Sequence, residues 1–362
     1  MRVGLILYGS IHTLSGGFIY DRKLVEHLQN QGDEVSILSM PWLRYSRLLL
    51  QNWQKEWGDH IAELKVDILL QDELNHPSLF WLNQKIRRQI DFPIISIVHH
   101  LRSSEKHAPL AAALYRLIEK AYLNSVDGFI FNSQTTRKTV EDLSGKPVPG
   151  IVAHPAGDLY GTGMDREEVI LRCRSEGPLK ILFVGNIIPR KGLHTLLLAL
   201  QNLSKQNWTL EIVGRQDVDP DYVAGLKKQV MQGGLDSRVT WLDRLEDAQM
   251  EHIFRRSQVL VMPSSYEGFG IVYLEGMAFG LPGIASLVGA AHEIITPGKN
   301  GVLVPPQDAG ALETVICKLC KDRNYLEMLS LGAWQRFAEF PSWEESMASV
   351  RNYLLEWLKT GR

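Results

Sequence analysis

The feature that most constrains this chain is an alternation of short apolar runs and longer amphipathic stretches that starts twice. The first series of strand-like runs is Val3–Leu7, Val35–Ser39, Val66–Leu70, Ile94–Val98, Gly128–Phe131 and Val148–Val152. Segments of helical period, such as Phe18–Asn30 and Leu110–Asn124, fill the gaps. Repeated β-α units predict a parallel sheet with helices on both faces. The series then restarts with Lys180–Gly185, Thr209–Val213, Val239–Trp241, Val259–Met262, Gly283–Ser286 and Gly301–Val304. Between the two lies His154–Pro178, with two Pro and four Gly, which reads as a linker.

The expectation is an α/β chain of two Rossmann-like, doubly wound parallel-sheet domains facing across a cleft. Their spans are 1–165 and 166–340, followed by a C-terminal helix in 341–362 with an aromatic stripe of Trp343, Tyr353 and Trp357. The 362 residues give each half enough chain to bury its own core. Ligands of such sheets bind at the carboxyl ends of the strands, at the switch point of the strand order. Strand-end motifs are therefore the ones to weigh.

Several function classes drop out. A formal net charge of -2 argues against bulk nucleic-acid binding. No apolar run approaches the roughly 20 residues needed to span a bilayer. The start, Arg2–Gly9, reads as a first buried strand rather than a signal peptide, so a cytoplasmic protein is expected, at most peripheral to a membrane. Cys317 and Cys320 form a CxxC, but they fall in the helical pattern Ala311–Lys321, and no second CxxC completes a zinc site. Neither a metal nor a resident cofactor is expected.

The richest motif follows the run Val259–Met262. It reads Pro-Ser-Ser-Tyr-Glu-Gly-Phe-Gly-Ile-Val-Tyr-Leu-Glu over residues 263–275. Gly268 and Gly270 predict a tight strand-to-helix turn, and the helix starting at Ile271 points its N-terminus at the loop, a setting that favours phosphate. Glu267 and Glu275 flank it. Two carboxylates beside a phosphate site suit hydroxyl donors, which a sugar and a ribose supply.

Glu267-x7-Glu275 with Gly268-Phe269-Gly270 inside it resembles the donor motif of retaining glycosyltransferases of family 4, which have two Rossmann-like domains (the GT-B architecture). The following Gly-Leu-Pro-Gly-Ile-Ala-Ser of residues 280–286 extends the likeness, as does Gly289-Ala290-Ala291-His292-Glu293, where Ala290 replaces a glycine. The resemblance implies that Glu267 contacts the donor sugar and Glu275 the ribose, with Gly268, Phe269, Gly270 and Ile271 lining the donor site. It also implies retention of configuration at the transferred sugar.

Three further strand ends carry candidates. Phe183-Val184-Gly185-Asn186-Ile187-Ile188-Pro189-Arg190-Lys191-Gly192 places Arg190 and Lys191 where they can neutralise a leaving diphosphate. Similar family members have Gly-Arg where this chain has Gly185-Asn186, so one phosphate contact is left unfilled. Ser15-Gly16-Gly17 opens a helix and offers close backbone approach to a diphosphate, though a plain tight turn needs the same residues. His99, in Ser-Ile-Val-His-His of residues 96–100, matches the family's histidine beside the donor sugar; a structural, hydrogen-bonded histidine is the other reading, and His100 ranks behind it.

The resemblance thus implies a hexosyltransferase-like enzyme using a nucleotide diphosphate sugar, UDP-linked in this reading, with an unidentified acceptor recognised by the N-terminal domain. Residues Pro41–Trp57, with Trp42, Trp53, Trp57, Arg44, Arg47 and Lys55, read as a basic amphipathic helix that either packs on the sheet or lies on a membrane surface beside a lipid or lipid-linked acceptor. Two alternatives stay open: a sugar-nucleotide epimerase or glycan phosphorylase of the same fold, the latter with pyridoxal phosphate on a lysine, and a non-catalytic sugar-nucleotide-binding protein.

Overall fold

The computed structural model describes residues 1–13, 15–161 and 163–360. The chain divides into two compact units. The first comprises residues 1–155 together with 343 onward, and the second residues 156–342.

The first unit holds six parallel strands: β1 (Arg2–Tyr8), β2 (Glu34–Met40), β3 (Ile68–Asp72), β4 (Ile94–Val98), β5 (Gly128–Phe131) and β6 (Gly150–Val152). Their order is β2-β1-β3-β4-β5-β6, so the winding reverses between β1 and β3. Leu5 pairs with Ile37 on one side and with Leu70 on the other. The second unit holds β7 (Leu179–Val184), β8 (Trp208–Val213), β9 (Val239–Leu242), β10 (Val259–Met262), β11 (Gly283–Ser286) and β12 (Gly301–Val304). Their order is β12-β11-β10-β7-β8-β9, with the reversal between β7 and β10. Central strands such as β4 and β10 are buried at every residue, which is why they read as continuous apolar runs rather than alternating ones. The α/β expectation of two doubly wound sheets is met.

Three readings need correction. The linker expected over His154–Pro178 contains the helix Arg166–Arg174, opened by a reciprocal capping box between Asp165 and Glu168. Val169 and Cys173 are fully buried from it, a two-residue apolar face too sparse for its period to show. The residues before it also pack into the second unit: the ring of Tyr160 meets Phe254 at 5.6 Å, and Met164 N–H donates to Ala278 O at 3.1 Å. The division therefore falls at Pro155/Ala156, ahead of residue 165.

Pro41–Trp57 is not one helix. It forms Tyr45–Leu50, a short 3-10 turn Gln51–Trp53, and the start of Lys55–Ala62. Buried Asn52 breaks it: its amide donates to Leu49 O and Pro77 O and accepts from the N–H groups of Trp81 and Leu82. These bonds fix the turn more tightly than continued helix would. Leu48 is buried, while Trp42, Leu50 and Trp53 are exposed. The third correction is the C-terminal helix, Trp343–Thr360, which is not a separate element but part of the first unit. The ring of Trp343 meets Tyr20 at 5.9 Å, and Arg351 Nε donates to Asp33 at 2.7 Å.

Asp33 is almost fully buried, so Arg351 supplies much of its compensation. Arg351→Ala should lower unfolding free energy by about 2 kcal/mol, the scale of a lost hydrogen bond to a charged group. Urea unfolding followed by hydrogen exchange in β1 measures this; unchanged protection there would mean the helix contributes little to the first unit.

Candidate functional site

The reversal in the second sheet puts the loops after β7 and β10 next to each other. After β7 the chain runs through Gly185 and exposed Asn186 into a 3-10 turn, Pro189–Lys191, and on to the helix Leu193–Asn202. After β10 it runs from Pro263 to the helix Ile271–Ala278. The loops are stitched by Ser265 N–H donating to Arg190 O at 2.8 Å.

At this seam three predicted residues meet. Lys191 Nζ donates to Glu267 Oε1 at 2.6 Å, and Ser264 Oγ donates to the same oxygen at 2.6 Å. Arg190 Nη1 donates to Tyr266 O at 2.8 Å and lies 3.8 Å from Glu267 Oε2. Burial alone would push the Glu267 carboxyl up, but Lys191, Arg190 and Ser264 together hold it below the ordinary carboxylate value. Glu267 is thus an ionised carboxylate in a buried place. Its backbone is fixed too: Ala290 N–H donates to Glu267 O at 3.0 Å. Gly289 beside it has φ +86°, and a β-carbon there would come within 2.2 Å of that oxygen. The 289–293 loop, singled out in sequence, so braces Glu267.

No side chain caps the helix Ile271–Ala278, whose N-cap is Gly270. Tyr273 N–H turns back to Gly270 O at 3.0 Å, and the start of the helix is a setting that favours an anion. Gly268 and Ile271 are half-buried at this end, and Phe269 is buried in the core against Phe340. Glu275 lies within the helix, 8% exposed, and no described residue hydrogen-bonds its carboxyl. Burial, with Asp247 adding to it, pushes this group up to about 7. Asn186 faces solvent, consistent with its departure from the family pattern.

The remaining candidates belong to the first unit, at the edge where its own winding reverses. His99 follows β4 and is held from several sides. Its backbone N–H donates to Glu73 Oε2 at 2.8 Å, its carbonyl accepts from Asn132 Nδ2 at 2.8 Å, and its Nε2 lies 3.2 Å from Asp21 Oδ1. Gly17 lies against its ring: a β-carbon at Gly17 would meet His99 Cδ2 at 2.9 Å. Gly16 and Gly17 open the helix Gly16–Asn30, whose N-terminus also carries no side-chain cap. Burial lowers the His99 pKa, so the ring is neutral. His100 turns away to Glu105 at 3.2 Å.

Asp21, Asp72 and Glu73 were not found from the sequence. Asp21 sits inside an amphipathic helix, where nothing local marks it. Asp72 and Glu73 lie at and just after the end of β3, and extending the run Val66–Leu70 by two residues would have placed them at the switch point. All three are buried, and burial raises each carboxyl. Asp21, Asp72 and His99 each bring a ligand atom within 4.8 Å of the others, the one such group among the described residues. No described Lys or Arg pairs with Asp21 or Asp72. Two carboxyls so placed cannot both ionise, and they carry a proton between them.

Residues 171–335 match the family model described as Glycosyl transferases group 1. The glycogen synthase of Mycobacterium tuberculosis is 26% identical over 270 residues, covering 73% of this chain. The chain spans 63% of that relative's length. Among solved structures, a sucrose-phosphate synthase from Thermosynechococcus elongatus superposes with a TM-score of 0.85 over 99% of both chains at 22% identity. The Anabaena protein Alr3699/HepE, solved in complex with UDP-glucose, gives 0.77 over 98% of this chain and 100% of its own at 17% identity. The fold is therefore GT-B, as expected.

Lys191→Met should destabilise the second unit by about 3–5 kcal/mol, because it strands an ionised buried carboxylate. The pair Lys191→Met with Glu267→Gln should recover most of that in a denaturation cycle; additive losses would show that the two do not act together. Glu275 gives the opposite pH behaviour. Its folded pKa is raised, so its contribution is fully present below about 4.5 and is lost as pH rises through about 7. Glu275→Gln should therefore gain on wild type between pH 5 and pH 8, by roughly 3 kcal/mol at most. A stability difference flat across that range would refute a buried neutral carboxyl.

Proposed function

We propose that the chain, whose residues 171–335 match the family model described as Glycosyl transferases group 1, transfers a glycosyl group from a nucleotide diphosphate sugar, UDP-linked, with retention of configuration. The observation that carries the reading is the seam between β7 and β10: an ionised, buried Glu267 flanked by Lys191 and Arg190, one loop from an uncapped helix N-terminus. The UDP-glucose held by the Anabaena structure supports the choice of donor.

In this reading the donor diphosphate lies on the helix start and against Lys191 and Arg190. Glu267 takes hydroxyl donors from the sugar, and Glu275 takes those of the ribose. The acceptor oxygen forms its bond to the anomeric carbon as the bond to the diphosphate oxygen breaks. The acceptor's proton passes to a departing phosphate oxygen on the same face. Lys191 leans from Glu267 toward the diphosphate as charge grows there, which is where preorganised cations act most. Two cations in place supply the counter-charge, so the reading requires no resident metal or cofactor. His99 is read as a neutral hydrogen-bonding group.

The acceptor is read as a lipid or lipid-linked glycan, with the protein on the inner face of a membrane. Support comes from exposed Trp42, Leu50 and Trp53, with exposed Arg44 and Arg47 among them. No helix among the described residues is long and apolar enough to cross a membrane.

A thermal-shift screen of UDP-, GDP- and ADP-sugars tests the core of this. A true donor at 100 times its Kd stabilises the fold by about 2.7 kcal/mol. Glu275→Ala should remove about 1.5–3 kcal/mol of nucleotide affinity while the protein stays folded. Lys191→Ala should lower turnover at saturating donor by about a hundredfold. Retained affinity in the first variant together with full turnover in the second would sink the assignment.

A further inference from the structure

The first unit contains a cavity of about 290 Å³ that the donor chemistry does not use. It opens at the carboxyl end of the sheet, between residues following β1 to β4. Its walls include Trp42, Tyr45, Glu73, His76, Arg102 and the pair His100–Glu105, 3.2 Å apart. Glu73 ties it to His99, whose backbone N–H it accepts.

The walls differ in character. Trp42 is half open to solvent, yet its ring is backed by Tyr8 and Phe18, both at 5.9 Å. It forms a fixed flat platform. Deeper in, the polar groups bond one another. Tyr45 OH bonds His76 Nε2 at 3.1 Å while His76 Nδ1 meets Glu73 O at 2.9 Å, and burial lowers the His76 pKa to about 3. Burial, with Asp72 beside it, raises the Glu73 carboxyl well above the ordinary carboxylate range. At the rim the exposed guanidinium of Arg102 lies over two rings, 5.2 Å from the centre of Tyr45 and 4.8 Å from that of Tyr115. No described carboxylate lies within ion-pair distance of it. Stacking fixes the plane of the guanidinium while its N–H edge stays available.

A flat apolar platform, hydrogen-bonding groups and one fixed cation, with Glu105 already engaged by His100, select a ring that is apolar on one face, hydroxylated at its edge and anionic at one substituent. We infer that this cavity is the acceptor subsite and that it takes a sugar or polyol ring carrying a phosphate or carboxylate, with the ring on Trp42 and the anionic group at Arg102. The inference rests on the transferase reading for the word acceptor; the binding chemistry does not depend on it.

Isothermal titration of the full chain tests it with glucose 6-phosphate, glucose and inorganic phosphate, and with phosphatidylinositol against phosphatidylcholine vesicles. The vesicle arm distinguishes a lipid-borne ring from a soluble one. We expect glucose 6-phosphate or the phosphatidylinositol surface to bind more tightly than its uncharged or ring-free counterpart. Arg102→Gln should weaken that binding at least about tenfold, the scale of a charged hydrogen bond, and Trp42→Ala should weaken glucose as well. UDP affinity, measured in the same samples, should be the same in both variants. Loss of UDP binding by wild type would count against the donor reading alone. Inorganic phosphate binding as tightly as glucose 6-phosphate, or affinities unmoved by both substitutions, would overturn the subsite.

Discussion

Parallel strands cannot be joined by tight hairpins. Each must return through a crossover, usually a helix, before the next strand begins. In this chain that requirement is met within each of two six-stranded sheets, and it lines up the carboxyl ends of the strands along one edge of each. Central strands such as β4 and β10 are buried and largely apolar, which leaves little room between them for reactive groups. What chemistry the sequence contains is pushed to the loops at those edges. The reversals between β1 and β3 and between β7 and β10 decide which loops become neighbours. Glu267 meets Lys191 because β10 lies beside β7, though many residues separate them in the chain.

The two edges handle buried carboxyls in opposite ways. In the second unit two cations and a hydroxyl keep Glu267 charged. In the first, no described Lys or Arg pairs with Asp21, Asp72 or Glu73, and burial raises all three carboxyls. One edge is a preset electric field, suited to a ligand whose charge changes. The other is a hydrogen-bonded network around carboxyls raised by burial, suited to fixing a ring such as that of His99. The difference follows from the side chains each sheet order brings together.

The fold was legible because its signal is local and repeated: apolar runs of strand length separated by helical period. The Glu267–Glu275 motif was legible for the same reason, since strand, turn and helix follow one another without a break. Less visible were elements with too few buried residues to show a period, such as Arg166–Arg174. The break at Asn52 was also hidden, because its four hydrogen bonds reach residues 49 to 82. Asp21 was invisible for a stronger reason. Its importance lies in contacts with residues 72 and 99, and no window along the chain contains all three.

The return of the helix Trp343–Thr360 to the first unit makes that unit discontinuous, with the second inserted as a continuous block. Synthesis runs from the N-terminus, and domains generally fold as units. The first 155 residues therefore emerge lacking the helix that seats Trp343 against Tyr20 and Arg351 against Asp33. The second unit is whole as soon as residue 342 has left the ribosome. Order of appearance and order of completion are thus reversed: the half that is made first is the half that finishes last, and until then its unfilled groove is a liability for the nascent chain.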